Sequence, residues 1–192
     1  MKSMKLLFCC GALLLFASSG LSQRDARHFA RDGLSFDYPN GWTITEESNS
    51  DAQQLTLSRS DSDAQIRIFV HRGKVDTPEK FAKAKTAFID PYVKSLNDSF
   101  VSMGAKPESS PASSQIGGAA AEGVRLRASL SGEPGEANVY WLMLGNRVTV
   151  LTLFGPDQAL KQAAPSWDLI RSSIKIELPP KPGTKPSPTP KP

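Results

Sequence analysis

The chain has 192 residues, 39% of them hydrophobic and 22% charged, with a formal net charge of +4. Its only cysteines, Cys9 and Cys10, and its only histidines, His28 and His71, leave little material for a disulfide framework, a thiolate nucleophile or a Cys/His metal site. The positive charge sits at the ends: apart from Lys2, Lys5, Lys181, Lys185 and Lys191, residues 24–178 hold 18 basic against 19 acidic side chains, and such a domain has no surplus for a nucleic-acid face.

Residues 1–22 have the layout of an export signal. Lys2 and Lys5 precede an apolar run from Leu6 to Phe16, and Ala17, Ser18, Ser19, Gly20 and Ser22 offer small residues for cleavage. The run is well short of the ~20 residues that span a bilayer, so no membrane span is expected in the mature chain. Both cysteines lie inside the run, and cleavage near Ser22 leaves a chain without thiols. Cys9 follows Phe8 rather than a small residue, which disfavours a lipoprotein anchor. The predicted location is the periplasm or the exterior.

Residues 23–32, with Arg24, Arg27 and Arg31, read as a flexible lead-in. One domain is expected over 33–178. It opens with GLSFDYPNGWTI, where Leu34, Phe36 and Tyr38 alternate with polar residues before a turn at Pro39, Asn40 and Gly41, predicting two tightly joined strands. Leu55 and Leu57, then Ile66, Ile68 and Val70, mark two half-buried antiparallel strands around the polar turn Ser60–Asp63. Thr77 and Pro78 supply a helix cap and first turn. Phe81, Ala84 and Phe88, then Tyr92, Leu96, Phe100 and Met103, follow at helical spacing, with Asp90-Pro91 implying a kink or a second start.

Residues 106–118 are rich in Ser, Pro and Gly and read as an exposed loop. Val124, Leu126, Ala128 and Leu130 then alternate with Arg125, Arg127 and Ser129. Beyond a turn over Gly132–Gly135 come ANVYWLML and RVTVLTLF, the most apolar pair of the mature chain, expected at the sheet centre. A helix is predicted over about 157–172, facing inward through Leu160, Ala163, Trp167 and Ile170 and broken near Pro165, with Ile174 and Ile176 in a closing strand. The tail, 179–192, is PPKPGTKPSPTPKP after Leu178 and reads as disordered and extended.

Three of these segments carry a family resemblance. GLSFDYPNGWTI resembles the opening hairpin of the PsbP-like superfamily, TPEKFAKAKTAF its long helix, and WDLIRSSIKI its closing helix and strand. The resemblance implies an α+β fold, an antiparallel β-sheet with helices packed on its faces, over about Gly33 to Leu178. The superfamily includes an extrinsic subunit of plant photosystem II, a nuclear import factor that binds a small GTPase, and bacterial envelope proteins of unknown role. No motif here matches the metal-related role of the first or the acidic partner surface of the second, so the resemblance implies fold rather than function.

No catalytic constellation is legible. A serine hydrolase needs a base beside its nucleophile, there is no GxSxG elbow, and His28 in the lead-in and His71 at a strand end read as surface residues. Asp61 and Asp63 lack the Gly and Glu spacing of a calcium loop, so no metal site is expected. Glu133 and Glu136 fall in an expected turn, where water keeps carboxylates at ordinary acidity, and IGGAAAEG lacks the phosphate-loop pattern, so no cofactor is expected. Trp42 and Trp167 read as packing residues. Tyr140 and Trp141, adjacent on one strand, must point to opposite faces, and with Arg125 and Arg127 they form the candidate binding surface. The chain therefore reads as a non-enzymatic module that binds an envelope protein or polymer through a sheet face or helix–sheet groove. The alternative is a carrier of a small apolar ligand between the sheet and the long helix.

Overall fold

Two strands whose residues are apolar on both faces dictate the architecture. The computed structural model describes residues 26–177; the export signal read at 1–22 and the tail read at 179–192 lie outside the described residues. In chain order the strands β1 (Ala26–Arg31), β2 (Leu34–Pro39), β3 (Thr43–Glu46), β4 (Ala52–Arg59) and β5 (Ser62–His71) precede a helical segment. That segment comprises α1 (Pro78–Ala84), a π-helical turn over Lys85–Ile89, and α2 (Asp90–Ser102). Then come β6 (Glu108–Ile116), β7 (Ala119–Leu130), β8 (Glu133–Leu144), β9 (Arg147–Pro156), α3 (Asp157–Ser173) and β10 (Lys175–Ile176).

The strands form a seven-stranded antiparallel sheet, β3-β4-β5-β9-β8-β7-β6, and a three-stranded one, β1-β2-β10. The α+β architecture expected from the sequence is the one observed, and β9 is the central strand of the large sheet. On one face, Leu55, Leu57, Ile66, Ile68, Tyr140, Leu142, Leu151 and Leu153 pack with Leu34, Phe36 and Tyr38 of β2 and with Leu160, Trp167 and Ile170 of α3. On the other, Val139, Trp141, Val148 and Val150 pack with Val75 of the β5–α1 connection and with Ala84 and Ile89 of the α1–π–α2 segment. The molecule is thus three-layered: the small sheet with α3, the large sheet, then the α1–α2 arm.

Several sequence expectations need correction. Most of the lead-in is strand: β1 pairs with β2 over Ala26–Arg31, and Phe29 stacks on Phe36 at 5.0 Å between ring centroids. The expected hairpin around Pro39–Gly41 is instead a corner, because β2 belongs to the small sheet and β3 to the large one. Residues 108–116 are an edge strand rather than a loop, and Pro111 is tolerated there because an edge strand leaves one set of N–H groups unpaired. Pro165 does not break α3. Asp90-Pro91 starts no separate helix either. The π turn continues α1 into α2, and Met103 is exposed rather than part of an inward stripe.

The cap and corner chemistry is as the residue types require. Thr77 Oγ1 accepts the Lys80 N–H at 3.3 Å, and Pro78 occupies the first helical turn. At the corner, buried Trp42 donates its indole N–H to Ser166 Oγ of α3 at 3.0 Å, joining the start of the large sheet to the helix that covers it. The Ser173 hydroxyl accepts the Asp37 N–H at 2.9 Å, tying the far end of α3 to β2. Trp42→Ala should cost ~3–5 kcal/mol by removing this buried ring, whereas Trp42→Phe should cost ~1–2 kcal/mol, chiefly through the lost hydrogen bond. Urea unfolding of the two variants checks the order and the gap.

Candidate functional site

The four residues of the sequence-derived surface do not form one. Arg125 and Arg127 of β7 face the same side as Tyr140 of β8, since Arg125 lies opposite Asn138, Arg127 opposite Glu136 and Gly123 opposite Tyr140. Trp141 takes the other side. Both aromatics are buried, Tyr140 at 9% and Trp141 at 8% exposure, because helices cover both faces at β8. Tyr140 packs beside Trp167 of α3, 6.0 Å between centroids, and the Lys85 ammonium of the π turn sits 5.4 Å from the Trp141 ring. A Cβ at Gly123 would come within 2.5 Å of the Val139 carbonyl and 2.6 Å of the Tyr140 ring, so this glycine is what lets the phenol lie flat on β7.

The two arginines are engaged within the molecule. Arg127 donates to Glu136 at 3.2 Å and to Asp157, in the first turn of α3, at 2.6 Å. The Asp157 hydrogen bond raises the Arg127 pKa further. Arg125 donates to Asn138 Oδ1 at 3.2 Å, and Asn138 donates to Glu136 at 2.7 Å. Glu136 is therefore a half-buried strand residue that neutralises two guanidinium groups, not a turn residue paired with Glu133.

The remaining sequence candidates stay apart. His28 Nδ1 lies 2.6 Å from Asp37 on the exposed face of the small sheet. His71 accepts the Gly73 N–H at Nδ1, 3.0 Å, and its ring packs 4.6 Å from Phe88. Asp61 is bound by Arg59, whose hydrogen bond lowers the Asp61 pKa. Among the described residues no three His, Cys, Asp or Glu side chains are placed to share a metal ion, and no helix is long and apolar enough to cross a membrane.

A concave feature lies elsewhere, where the α1–α2 arm leaves the β3–β5 end of the large sheet uncovered. It is a groove of about 680 Å³, floored by Thr45, Gln54, Thr56, Arg67, Phe69 and Thr152, and walled by Ala87, Phe88, Pro91 and Tyr92. The register builds the floor. Thr45, Thr56, Arg67 and Thr152 are successive partners across β3, β4, β5 and β9, so they form one row on the face toward α2. Gln54, Phe69 and Val150 form the next row, with Glu47 at its outer end. The wall depends on the π turn, which places Phe88 at the surface, 40% exposed, while Ile89 beside it is fully buried; such turns often mark functional sites. Tyr92 bonds Thr152 Oγ1 through its hydroxyl at 3.0 Å, clamping α2 to the sheet at the groove's inner edge. In the sequence Phe88 and Tyr92 stand out only as members of an apolar stripe at helical spacing, and Arg67 and Phe69 do not stand out at all. The alternation that set Ile66, Ile68 and Val70 on one face also places Arg67 and Phe69 together on the other.

No protein-family model matches the chain, and no curated protein matches its sequence. Solved structures do resemble it. The solution structure of cyanobacterial PsbP (CyanoP) from Synechocystis matches with a TM-score of 0.52 at 15% identity, over 89% of this chain and 99% of that one. A crystal structure from Bacteroides thetaiotaomicron matches with a TM-score of 0.51 at 14% identity, over 80% of this chain and 49% of that one. LpqN, a Mycobacterium tuberculosis protein involved in cell envelope biogenesis, stands further off at 0.42 and 14% identity, over 79% of this chain and 88% of its own. The chain has the PsbP-like fold.

Burial pushes the Tyr140 phenol above its ordinary pKa. Because the folded state holds this proton more tightly than the unfolded state, the contribution is fully present below the ordinary phenol pKa and is lost as pH rises through the folded one. Alkaline titration of phenolate absorbance should therefore show a late step that disappears in Tyr140→Phe.

Proposed function

We propose that this protein is an exported, non-enzymatic binding module of the cell envelope that holds its ligand or partner in the groove between α2 and the β3–β5 end of the sheet. The observation that carries this reading is the groove itself, about 680 Å³ with a polar floor and an aromatic wall, the concave, mixed lining from which binding sites are built. The leader-like residues 1–22 support the location. The separation of His28 from His71, each occupied by a structural neighbour, favours binding over acid–base chemistry. The aromatic lining, Phe69 on the floor with Phe88 and Tyr92 on the wall, also favours a second reading, in which the occupant is a small molecule carried rather than a protein held.

A photo-crosslinking amino acid at Phe88, compared with one at Ser113 on the exposed far edge of the sheet, tests the site in intact cells. A reproducible adduct from position 88 and none from position 113 is expected, in a product shortened near Ser22 and located outside the cytoplasm. No adduct, equal adducts from both positions, or an uncut cytosolic product would contradict the proposal.

A further inference from the structure

We infer that the groove takes a single-chain amphiphile with an anionic head, the head held by Arg67 and the hydroxyls beside it, the apolar body lying on Phe69, Phe88 and Pro91. This rests on the groove being the binding site and adds the chemistry of its occupant.

Arg67 lacks the carboxylate partner that most arginines of the domain have. Arg31, Arg59, Arg72, Arg125, Arg127 and Arg171 each have a carboxylate within ion-pair distance. Arg67 has none among the described residues, although it is half-buried in the middle of a sheet face; Arg27 and Arg147 share that lack, but Arg27 is exposed on the small sheet and Arg147 donates to the Asp32 carbonyl. Its guanidinium lies 4.6 Å from the centroid of the Phe154 ring. A guanidinium held against a ring keeps a fixed plane while its N–H edge remains available to an oxyanion. Glu47 is the acid at the groove. It stands two strands and one row away, which at ~4.8 Å per strand and ~3.4 Å per residue puts its Cα roughly 12 Å from that of Arg67, and Arg67 extends toward Phe154 on the opposite side.

The polar side chains directly beside Arg67 across the strands are hydroxyls, with the carboxamides of Gln54 and Gln65 one row away on either side. Thr56 and Thr152 flank it directly in register, with Thr45 beyond Thr56. Tyr92 and Thr152 share one hydrogen bond and therefore have two protons between them, only one of which that bond uses. A guanidinium ringed by hydroxyls that can all donate is matched by a group that only accepts, such as a carboxylate or a phosphate monoester. An ammonium ligand would meet Arg67 head-on.

In the next row of the floor, about 7 Å along the strands, the β5 and β9 positions are the apolar Phe69 and Val150, with Phe88 and Pro91 rising beside them from the helical arm, while Gln54 and Glu47 keep the β4 and β3 side of that row polar. Phe88 is one of the few large apolar side chains left exposed, and its ring is braced on His71. Head-sized polar space followed by an open aromatic trough is the shape of a fatty-acid-like molecule rather than of a compact polar metabolite.

The test is calorimetric titration of the purified protein with dodecanoate and dodecyl phosphate, each below its micelle concentration, and with dodecanol below its solubility limit. One anionic probe at least should bind one-to-one and 10-fold or more tighter than dodecanol, and whichever of the two binds tighter tells a carboxylate head from a phosphate one. Arg67→Gln should lose that advantage, Arg67→Lys should keep part of it, and Ala87→Trp, which crowds the trough, should abolish binding of every probe. Thr56→Val serves as a second head-site variant should Arg67→Gln lose its native circular dichroism, and should weaken the anionic probes alone. Equal affinity for dodecanol, unchanged binding in Arg67→Gln or Thr56→Val, binding that survives Ala87→Trp, or no binding of any probe would each overturn the inference. If an adduct still forms from position 88 in cells, the groove remains the binding site and only the assigned occupant is wrong.

Discussion

The central strands β8 and β9 are apolar on both faces, and every other feature of the molecule answers that constraint. Val139, Trp141, Val148 and Val150 require a cover on one side, while Tyr140, Leu142, Leu151 and Leu153 require one on the other. At ~25 cal/mol per Å² of apolar surface removed from water, leaving either side open would forfeit several side chains' worth of burial. Hence a sheet whose outer strands leave one face wet is covered by helices on both faces at its centre. Strands β4 and β5 are different. Their second faces carry Gln54, Thr56, Gln65 and Arg67, which are only partly buried, so the α1–α2 arm has no apolar reason to extend over them. The groove lies at the boundary between the sheet region that demands a cover and the region that does not.

Much of this was legible from residue patterns. Period-two alternation placed Leu55 and Leu57, and Ile66, Ile68 and Val70, on one face, and the density of apolar residues in β8 and β9 put that pair near the sheet centre. The misses have physical causes. β1 has Phe29 as its one partly buried side chain, so its strand character comes from pairing with β2, not from an alternating pattern of its own. β6 is rich in serine and contains Pro111, a composition that reads as loop until β7 supplies a partner on one edge. Proline and glycine at residues 39–41 announce a reversal but cannot say whether the chain returns to the same sheet or crosses to another.

The candidate surface shows the same limit more sharply. Adjacent Tyr140 and Trp141 lie on opposite faces as their spacing requires, yet whether either face is open depends on elements outside their own strand, α3 after it and the α1–α2 segment well before it. Arg125 and Arg127 face Asn138 and Glu136 only through the β7–β8 register, and a sequence does not show that their charges are already spent inside the domain. Arg67 is the converse, an alternation-compatible surface arginine whose significance appears only once Thr56, Thr152 and Phe154 are set around it. The PsbP-like fold accounts for the scaffold; what it holds is decided by the few side chains at this seam.

The account stands on the large sheet being sealed on one face and open on the other at its β3–β5 end. In a Cys9→Ser, Cys10→Ser background, the reactivity of single cysteines toward a bulky maleimide reads this directly. Thr56→Cys, on the groove floor, should react readily, and Ala64→Cys, on the neighbouring strand but facing α3 and the small sheet, should stay protected until the protein is unfolded. Protection of both thiols would mean that the helical arm closes over the floor and no groove exists, and reaction of both would mean that the opposite layer does not pack as described.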